Sequence, residues 1–249
     1  MRKNHLILMR HGQSQWNLEN RFTGWHDVDI TEQGAVEARR GGELIRQAGF
    51  PIDEAHTSLL KRAIRTLWIS LDVLDRMWVP VTRTWALNER HYGGLTGMDK
   101  KEMLSKHGEE QVLAWRRGYA VRPPALEATD PRHPRFDPRY ADLGDACPAT
   151  ESLADTVARV VPYYETCVRP ALAVGKNVLV VAHGNSLRAL VMYLENMSEA
   201  EVTEFNIPTG FPMVVSFDQR LNYHGREYLG DQWAIEAAIS GVKNQTGKA

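Results

Sequence analysis

Leu6-Ile7-Leu8-Met9-Arg10-His11-Gly12-Gln13-Ser14 is an apolar run of strand length that ends abruptly in Arg-His-Gly. The pattern returns far downstream, where Val178-Leu179-Val180-Val181-Ala182 runs into His183-Gly184-Asn185. In an open α/β sheet, ligands sit outside the carboxyl ends of the strands. Two histidines delivered at two such ends can face each other across one pocket. One can then attack a phosphoryl group while the other stabilises the charge that develops.

The segments between these strands alternate in kind. A polar, glycine-containing loop from about Gly12 to Ile30 ends at Thr31, which has the character of a helix N-cap. The helix it opens runs to about Ala48 and stops at Gly49-Phe50-Pro51. A strand-like piece at Ala55-His56-Thr57 leads into a second helix, whose Leu60, Ala63, Ile64, Leu67, Leu71 and Leu74 follow helical spacing. Val79 to Trp85 alternates and reads as a strand. Leu87 to Gly97 reads as a charged, glycine-rich loop, followed by a basic helical stretch through Arg117. Between Tyr119 and Pro148 stand six prolines, at 123, 124, 131, 134, 138 and 148, which suits an insertion near a site better than a linker. Glu151 to Val174 reads as a helix interrupted at Pro162 and Pro170. A buried strand over Asn177–Ala182, a helix from Asn185 to Glu195 and a strand over Met213–Phe217 complete the pattern. The expectation is an α/β fold: one domain over 1–249, a mostly parallel sheet flanked by helices on both faces, the 119–150 insertion over the site, and a mobile tail over 240–249.

Bulk composition narrows the function classes. The chain has 249 residues, 43% of them hydrophobic and 24% charged, with a formal net charge of −1. No global excess of positive charge exists to displace counterions from a nucleic acid, so anion binding has to come from a local cluster. No stretch approaches the roughly 18 apolar residues of a membrane span. Cys147 and Cys167 make neither a disulfide framework nor a metal spacing. Together these features lead us to expect a cytoplasmic protein with reduced thiols. Nucleotide-cradling, dinucleotide and zinc motifs are all missing, so no metal is expected.

A cluster of the required kind is present. Arg10 at a strand end is poorly placed for a core, but its fork suits a phosphate. Gly12 lets the backbone turn sharply, and a nucleophilic histidine needs one ring nitrogen held so that the other is free. A backbone carbonyl in the turn could hold it. At the second site the following helix brings backbone N–H groups and a positive dipole end to Gly184 and Asn185. Lys61 and Arg62 fall in the first turn of a helix, where the macrodipole prefers acids, and a bound anion would reverse that conflict. In Leu87-Asn88-Glu89-Arg90-His91-Tyr92-Gly93, Glu89 is the only acid among donors. It is the candidate to take and return a hydroxyl proton. Lys100, Arg116 and Arg117 supply further cations nearby in the chain.

Further motifs, Asn17-Leu18-Glu19-Asn20-Arg21-Phe22-Thr23-Gly24-Trp25, Leu59-Leu60-Lys61-Arg62-Ala63, Trp115-Arg116-Arg117, Ala182-His183-Gly184-Asn185-Ser186-Leu187-Arg188 and Asn206-Ile207-Pro208-Thr209-Gly210, complete a pattern. With these the chain resembles, over nearly its whole length, the cofactor-dependent phosphoglycerate mutases of the histidine phosphatase superfamily. The resemblance implies interconversion of 3-phosphoglycerate and 2-phosphoglycerate in glycolysis and gluconeogenesis, with 2,3-bisphosphoglycerate as phosphoryl primer. His11 would be the phosphorylated nucleophile and Glu89 the acid/base, with His183, Arg10 and Arg62 stabilising the transferring group. Ser14, Asn17, Thr23, Gly24, Arg90, Tyr92, Lys100, Arg116, Arg117, Gly184 and Asn185 would hold the substrate, a small phosphorylated three-carbon acid. The resemblance also implies a homodimer or homotetramer.

Departures from the family pattern are few. Gln13 stands where many relatives have Glu, His26 replaces a larger aromatic or apolar residue, and Cys147-Pro148-Ala149 replaces a leucine-rich stretch. None touches the implied mechanism. A branch that chiefly makes or hydrolyses the bisphosphate typically carries Gly at the position of Ser14 and Ser at that of Gly24. A broad phosphatase generally lacks the context around Glu89 and Arg116. A non-catalytic phospho-ligand sensor has no need of every implied catalytic residue. The proline-rich segment and the basic tail are suited to keep water from a phosphoenzyme.

Overall fold

The computed structural model describes residues 4–243. Among them six strands form one sheet in the order β3-β2-β4-β1-β5-β6. Their ranges are β1 His5–Arg10, β2 Glu54–Thr57, β3 Val81–Arg83, β4 Val178–Ala182, β5 Met213–Phe217 and β6 Tyr223–Tyr228. The pairs β3–β2, β2–β4 and β4–β1 are parallel, whereas β5 runs antiparallel to both β1 and β6. The sheet is therefore mostly parallel, as expected.

Both faces of the central strands are buried, which explains their unbroken apolar sequences. Side chains alternate along a strand, so β1 and β4 split their residues between two cores. Leu6, Leu8, Val178, Val180 and Ala182 pack on one face with Leu153, Val160, Leu187 and Leu190. Those partners lie on α6 Leu153–Tyr163 and α8 Gly184–Glu195. Ile7, Met9, Leu179 and Val181 pack on the other face with Ile45, Leu67 and Leu71. Here the partners lie on α2 Glu32–Gln47 and α3 Lys61–Val73. Each such fully buried Leu, Ile, Val or Met side chain contributes about 1.5–3 kcal/mol relative to exposure.

The remaining elements differ in places from the sequence expectation. A single turn, α1 Gln15–Leu18, occupies the first loop. The third strand shrinks to three residues, since Trp85–Leu87 already turns as a 3₁₀ segment. The basic stretch is two helices, α4 Lys100–His107 and α5 Glu109–Arg117, divided at Gly108 with φ of 80°. After α6, whose last turn contains Pro162, a π-helical turn leads into α7 Arg169–Ala173, with Pro170 in its first turn. Helix α9 Glu199–Glu204, strand β6 and helix α10 Gln232–Lys243 are additional to the expected elements. Ser240 to Lys243 thus belong to a helix instead of a mobile tail; the rest of the expected tail, 244–249, lies outside the described residues.

The proline-rich segment forms two 3₁₀ stretches, Pro134–Phe136 and Pro138–Ala146. Tyr140 is buried with Trp25 and Cys147, and its hydroxyl accepts the Asn88 amide at 2.9 Å. The insertion therefore packs against the loop that carries Glu89.

Candidate active site

The register of the two central strands creates the site. Arg10 pairs with Ala182, so the next residues, His11 and His183, leave the sheet side by side. The His11 N–H donates to the Ala182 carbonyl at 3.0 Å. The two rings meet edge to face, with centroids 4.9 Å apart. Both side chains are buried.

His11 is oriented by its own turn. Its Nδ1 lies 2.7 Å from the Gly12 carbonyl. A carbonyl only accepts, so Nδ1 carries the proton and Nε2 presents a lone pair. Burial, then the neighbouring Arg62 and Arg10, hold the imidazole pKa well below its ordinary value. Gly12 itself has no room for a side chain: a Cβ there would stand 2.1 Å from the Gly34 carbonyl oxygen. Its N–H donates to Thr66 Oγ1 at 3.1 Å, tying the turn to α3.

The two cations beside the histidines have backbone anchors. Arg10 donates to the Ile207 carbonyl at 2.9 Å, and its Nε is buried without a partner among the described residues. Arg62 donates to the carbonyls of Gly24 at 2.7 Å and His26 at 2.9 Å. Burial pulls its pKa down to about 10. The dipole conflict at the start of α3 is met partly within the fold, because Asp27 Oδ1 accepts the Lys61 N–H at 2.7 Å.

Glu89 sits at the N-terminus of α8. Its Oε1 accepts the backbone N–H of Asn185 at 3.0 Å and of Arg90 at 2.8 Å. Its backbone is clamped from behind: the Glu89 carbonyl accepts from Trp25 Nε1 at 2.6 Å and from Arg159 at 3.0 Å. Arg159 also donates to the Ala86 and Asn88 carbonyls and forms a buried pair with Glu151. Glu151 in turn accepts the His91 N–H at 2.8 Å.

Above the strand ends lies a pocket whose lining includes Arg10, Asn17, Arg21, Thr23, Gly24, Glu89, Tyr92, Lys100, Arg116, Arg117, Gly184, Asn185 and Arg188. Six cations there surround one carboxylate. Burial, then Arg116 and Arg10, pull the Lys100 pKa down to about 7. Burial, then Arg117, takes Arg116 to about 10, and burial, then Arg90 and Arg117, takes Arg188 to about 9. Buried like charges of this kind are stabilised by an anion placed among them.

Eleven of the sixteen expected residues line this pocket: Arg10, Asn17, Thr23, Gly24, Glu89, Tyr92, Lys100, Arg116, Arg117, Gly184 and Asn185. His11, His183 and Arg62 are buried at the strand and helix ends adjoining it. Ser14 caps α1 in a reciprocal bond with Asn17, its hydroxyl accepting the Asn17 N–H at 3.2 Å. Arg90 is not among the lining residues. It is fully buried and donates to Tyr92 Oη and the Arg116 carbonyl, bracing the wall from behind. Arg21, Arg188 and Asn206, which stand in the quoted motifs without an assigned role, also line the pocket. Arg188 had a detectable signal, standing three residues after Asn185 on the helix face that meets the site, where it donates to Asn185 Oδ1 at 2.9 Å. The last lining residue is Val242 of α10, whose carbonyl accepts from Arg116 at 3.2 Å.

A sequence profile described as histidine phosphatase superfamily (branch 1) matches residues 6–143 and 132–223. Solved structures share the fold at low identity. A mycobacterial glucosyl-3-phosphoglycerate phosphatase is 21% identical with a TM-score of 0.69, over 91% of this chain and 98% of that one. The α-ribazole phosphatase of Shigella flexneri is 21% identical with a TM-score of 0.65, over 91% and 96%. YhfR of Bacillus stearothermophilus is 22% identical with a TM-score of 0.67, over 89% and 94%.

Proposed function

The chain belongs to branch 1 of the histidine phosphatase superfamily, whose chemistry is phosphoryl transfer, and from that premise we propose that it interconverts 3-phosphoglycerate and 2-phosphoglycerate. The observation that carries this reading is the second cationic pole. Hydrolysis of a simple phosphomonoester needs cations only where Arg10 and Arg62 stand, beside the neutral nucleophile His11. Lys100, Arg116 and Arg117 come from α4 and α5 instead and bring further cations to the same pocket. A three-carbon acid bearing both a carboxylate and a phosphate uses both poles.

In this reading the His11 Nε2 lone pair attacks phosphorus; the N–P bond forms as the P–O bond to the substrate breaks. On the primed enzyme Glu89 first takes the proton of the substrate hydroxyl that attacks phospho-His11, and then returns it to the alkoxide that departs when His11 takes the other phosphoryl group. Arg10, Arg62 and His183 stabilise the charge on the transferring group, in a buried site where such donors act strongly. The residues present suit 2,3-bisphosphoglycerate as primer. Arg10 Nε, Arg188 Nε and His183 Nδ1 are buried donor positions without partners among the described residues, and Gly184 leaves the backbone open beside Arg10 and Glu89. Arg10 and Arg62 would hold one phosphate and the Lys100–Arg116–Arg117 pole the other. When bound, the bisphosphate supplies the phosphoryl group that primes His11. No residue in the scheme calls for a metal.

Retention of Ser14 and Gly24 favours isomerisation over net handling of the bisphosphate. Gly24 adopts φ of 55°, and a Cβ there would stand 3.1 Å from the Tyr92 nitrogen. We further propose that the enzyme acts as a cytoplasmic homo-oligomer in glycolysis and gluconeogenesis. Product analysis with 3-phosphoglycerate tests the reading: 2-phosphoglycerate is the expected product, and inorganic phosphate as the sole product would move the chain to hydrolysis.

A further inference from the structure

Ser58 lies between β2 and α3, with its side chain fully buried. Its Oγ is 2.7 Å from His183 Nε2 and accepts the Leu60 N–H at 3.2 Å. The other ring nitrogen of His183, Nδ1, is buried and has no hydrogen-bond partner among the described residues. The ring stands edge to face against His11.

A serine hydroxyl owns one proton and two lone pairs, and Leu60 occupies one lone pair. If the hydroxyl proton goes to His183 Nε2, that nitrogen is an acceptor, and a neutral ring then carries its proton on Nδ1. The reverse assignment places the proton on Nε2. It leaves the Ser58 proton without an acceptor in a buried site, and the Nδ1 lone pair without a donor as well. Buried polar groups are rarely left unpaired, so the assignment with one open group is preferred over that with two. A doubly protonated ring is opposed by burial and by Arg62, His11, Arg159 and Arg10 around it.

We propose that Ser58 is a positioning residue: its hydroxyl donates to His183 Nε2 and fixes the Nδ1–H tautomer, which offers a neutral donor to the phosphoryl group in transfer at His11. The two adjoining histidines are then both Nδ1–H tautomers but present opposite groups to the transferring phosphoryl. The Gly12 carbonyl leaves His11 with a bare nitrogen, and Ser58 leaves His183 with an N–H. No charge has to be created or removed at His183 during transfer, which keeps the site preorganised.

The inference rests on His11 as the phosphoryl acceptor, but the tautomer is readable without turnover. Long-range ¹H–¹⁵N correlation spectra of the ¹⁵N-labelled protein assign the proton to Nδ1 or Nε2. The expected result is Nδ1–H in the wild type and a mixture of tautomers in Ser58→Ala. Primed turnover of 3-phosphoglycerate by Ser58→Ala should fall roughly tenfold in kcat with KM little changed, short of the about 10²–10³ lost when such a donor is removed outright. An Nε2–H tautomer in the wild type overturns the proposal, and does so even where the variant fails to fold. So does a Ser58→Ala enzyme with wild-type kcat, or one that loses activity through KM or with its Nδ1–H tautomer intact. A wild type that isomerises nothing would defeat the mutase reading while leaving the tautomer to be decided.

Discussion

His11 can act as a nucleophile only while its Nε2 is unprotonated, and the Gly12 carbonyl, burial and two arginines all favour that state. Replacement by Asn keeps a polar side chain of similar size but no nucleophile. Turnover of His11→Asn should fall by at least roughly 10⁴, with the folded state retained on circular dichroism. Glu89→Gln should lower kcat by roughly 10²–10³ with a smaller effect on KM, as measured in steady-state assays. Lys100 gives a pH signature. Its pKa is held down to about 7 in the free protein, and a bound anion raises it. Anion binding should therefore take up a proton near neutrality and weaken as pH rises through about 7. Calorimetry in buffers of different ionisation enthalpy reads this uptake, and Lys100→Met should abolish it. Arg10 and Arg62 were legible because each breaks a local rule, a cation at a strand end or at a helix N-terminus, whereas the two histidines were read from the repeated strand-to-His-Gly pattern and Glu89 as the one acid among donors. Their supports were not. Ser58, Thr66, Arg159 and Glu151 carry no sequence anomaly; the pairing of β2 with β4 and the positions of α3 and α6 bring them to the site.

At the scale of elements, α10 is the loosely held part of the site. Ile235 is its buried anchor, whereas Trp233 is 81% exposed. Its last turn reaches the pocket through Val242 and the Arg116 bond, and Lys243 pairs with Glu204 on the surface at 3.3 Å. Such weakly packed segments open at low free-energy cost. A truncation after Ser240 should raise hydrolysis relative to isomerisation, because water then reaches phospho-His11. An unchanged partition between inorganic phosphate and isomer in the truncated protein would contradict this. Other elements show why part of the fold stayed unread. Strands β1 and β4 announce themselves as unbroken apolar runs, α2 by its Thr31 cap and Gly49-Phe50-Pro51 stop, and α3 by apolar periodicity. Helices α1 and α9 are four and six residues long, too short for a period to emerge. Strand β6, of six residues, lies at the edge of the sheet with no fully buried residue, so its sequence lacks an apolar run.

For the whole molecule, a net charge of −1 conceals strong local separation, with six cations gathered around one acid in the pocket. The buried histidines also set the response to acid. His91 is pushed down to about 3 by burial, then by His133 and Arg159, and His11 and His183 are lowered as well. A histidine whose folded pKa is depressed stays neutral while the unfolded chain takes up a proton. Stability is then lost as pH falls below the unfolded value of about 6.5, by about 1.4 kcal/mol per pH unit for each such group. Urea melts between pH 7 and pH 5 should show a midpoint that drops steeply, and a flat profile would contradict this assignment. Helix α3 and the turn after it expose Trp68 at 52%, Met77 at 70% and Trp78 at 71%, apolar side chains that the proposed homo-oligomer would cover. Sedimentation should report a dimer or larger that Trp78→Glu weakens, and a monomeric wild type would contradict the oligomer.

The central claim is that both cationic poles serve one phosphorylated three-carbon acid, and one assay tests it most directly. Conversion of 3-phosphoglycerate to 2-phosphoglycerate is followed with EDTA present, with and without trace 2,3-bisphosphoglycerate, and the product is read with enolase after quenching and restoring magnesium. The account predicts isomerisation that survives EDTA and is stimulated by the bisphosphate. Release of inorganic phosphate with no isomer formed would contradict it and leave the Lys100–Arg116–Arg117 pole in need of another ligand.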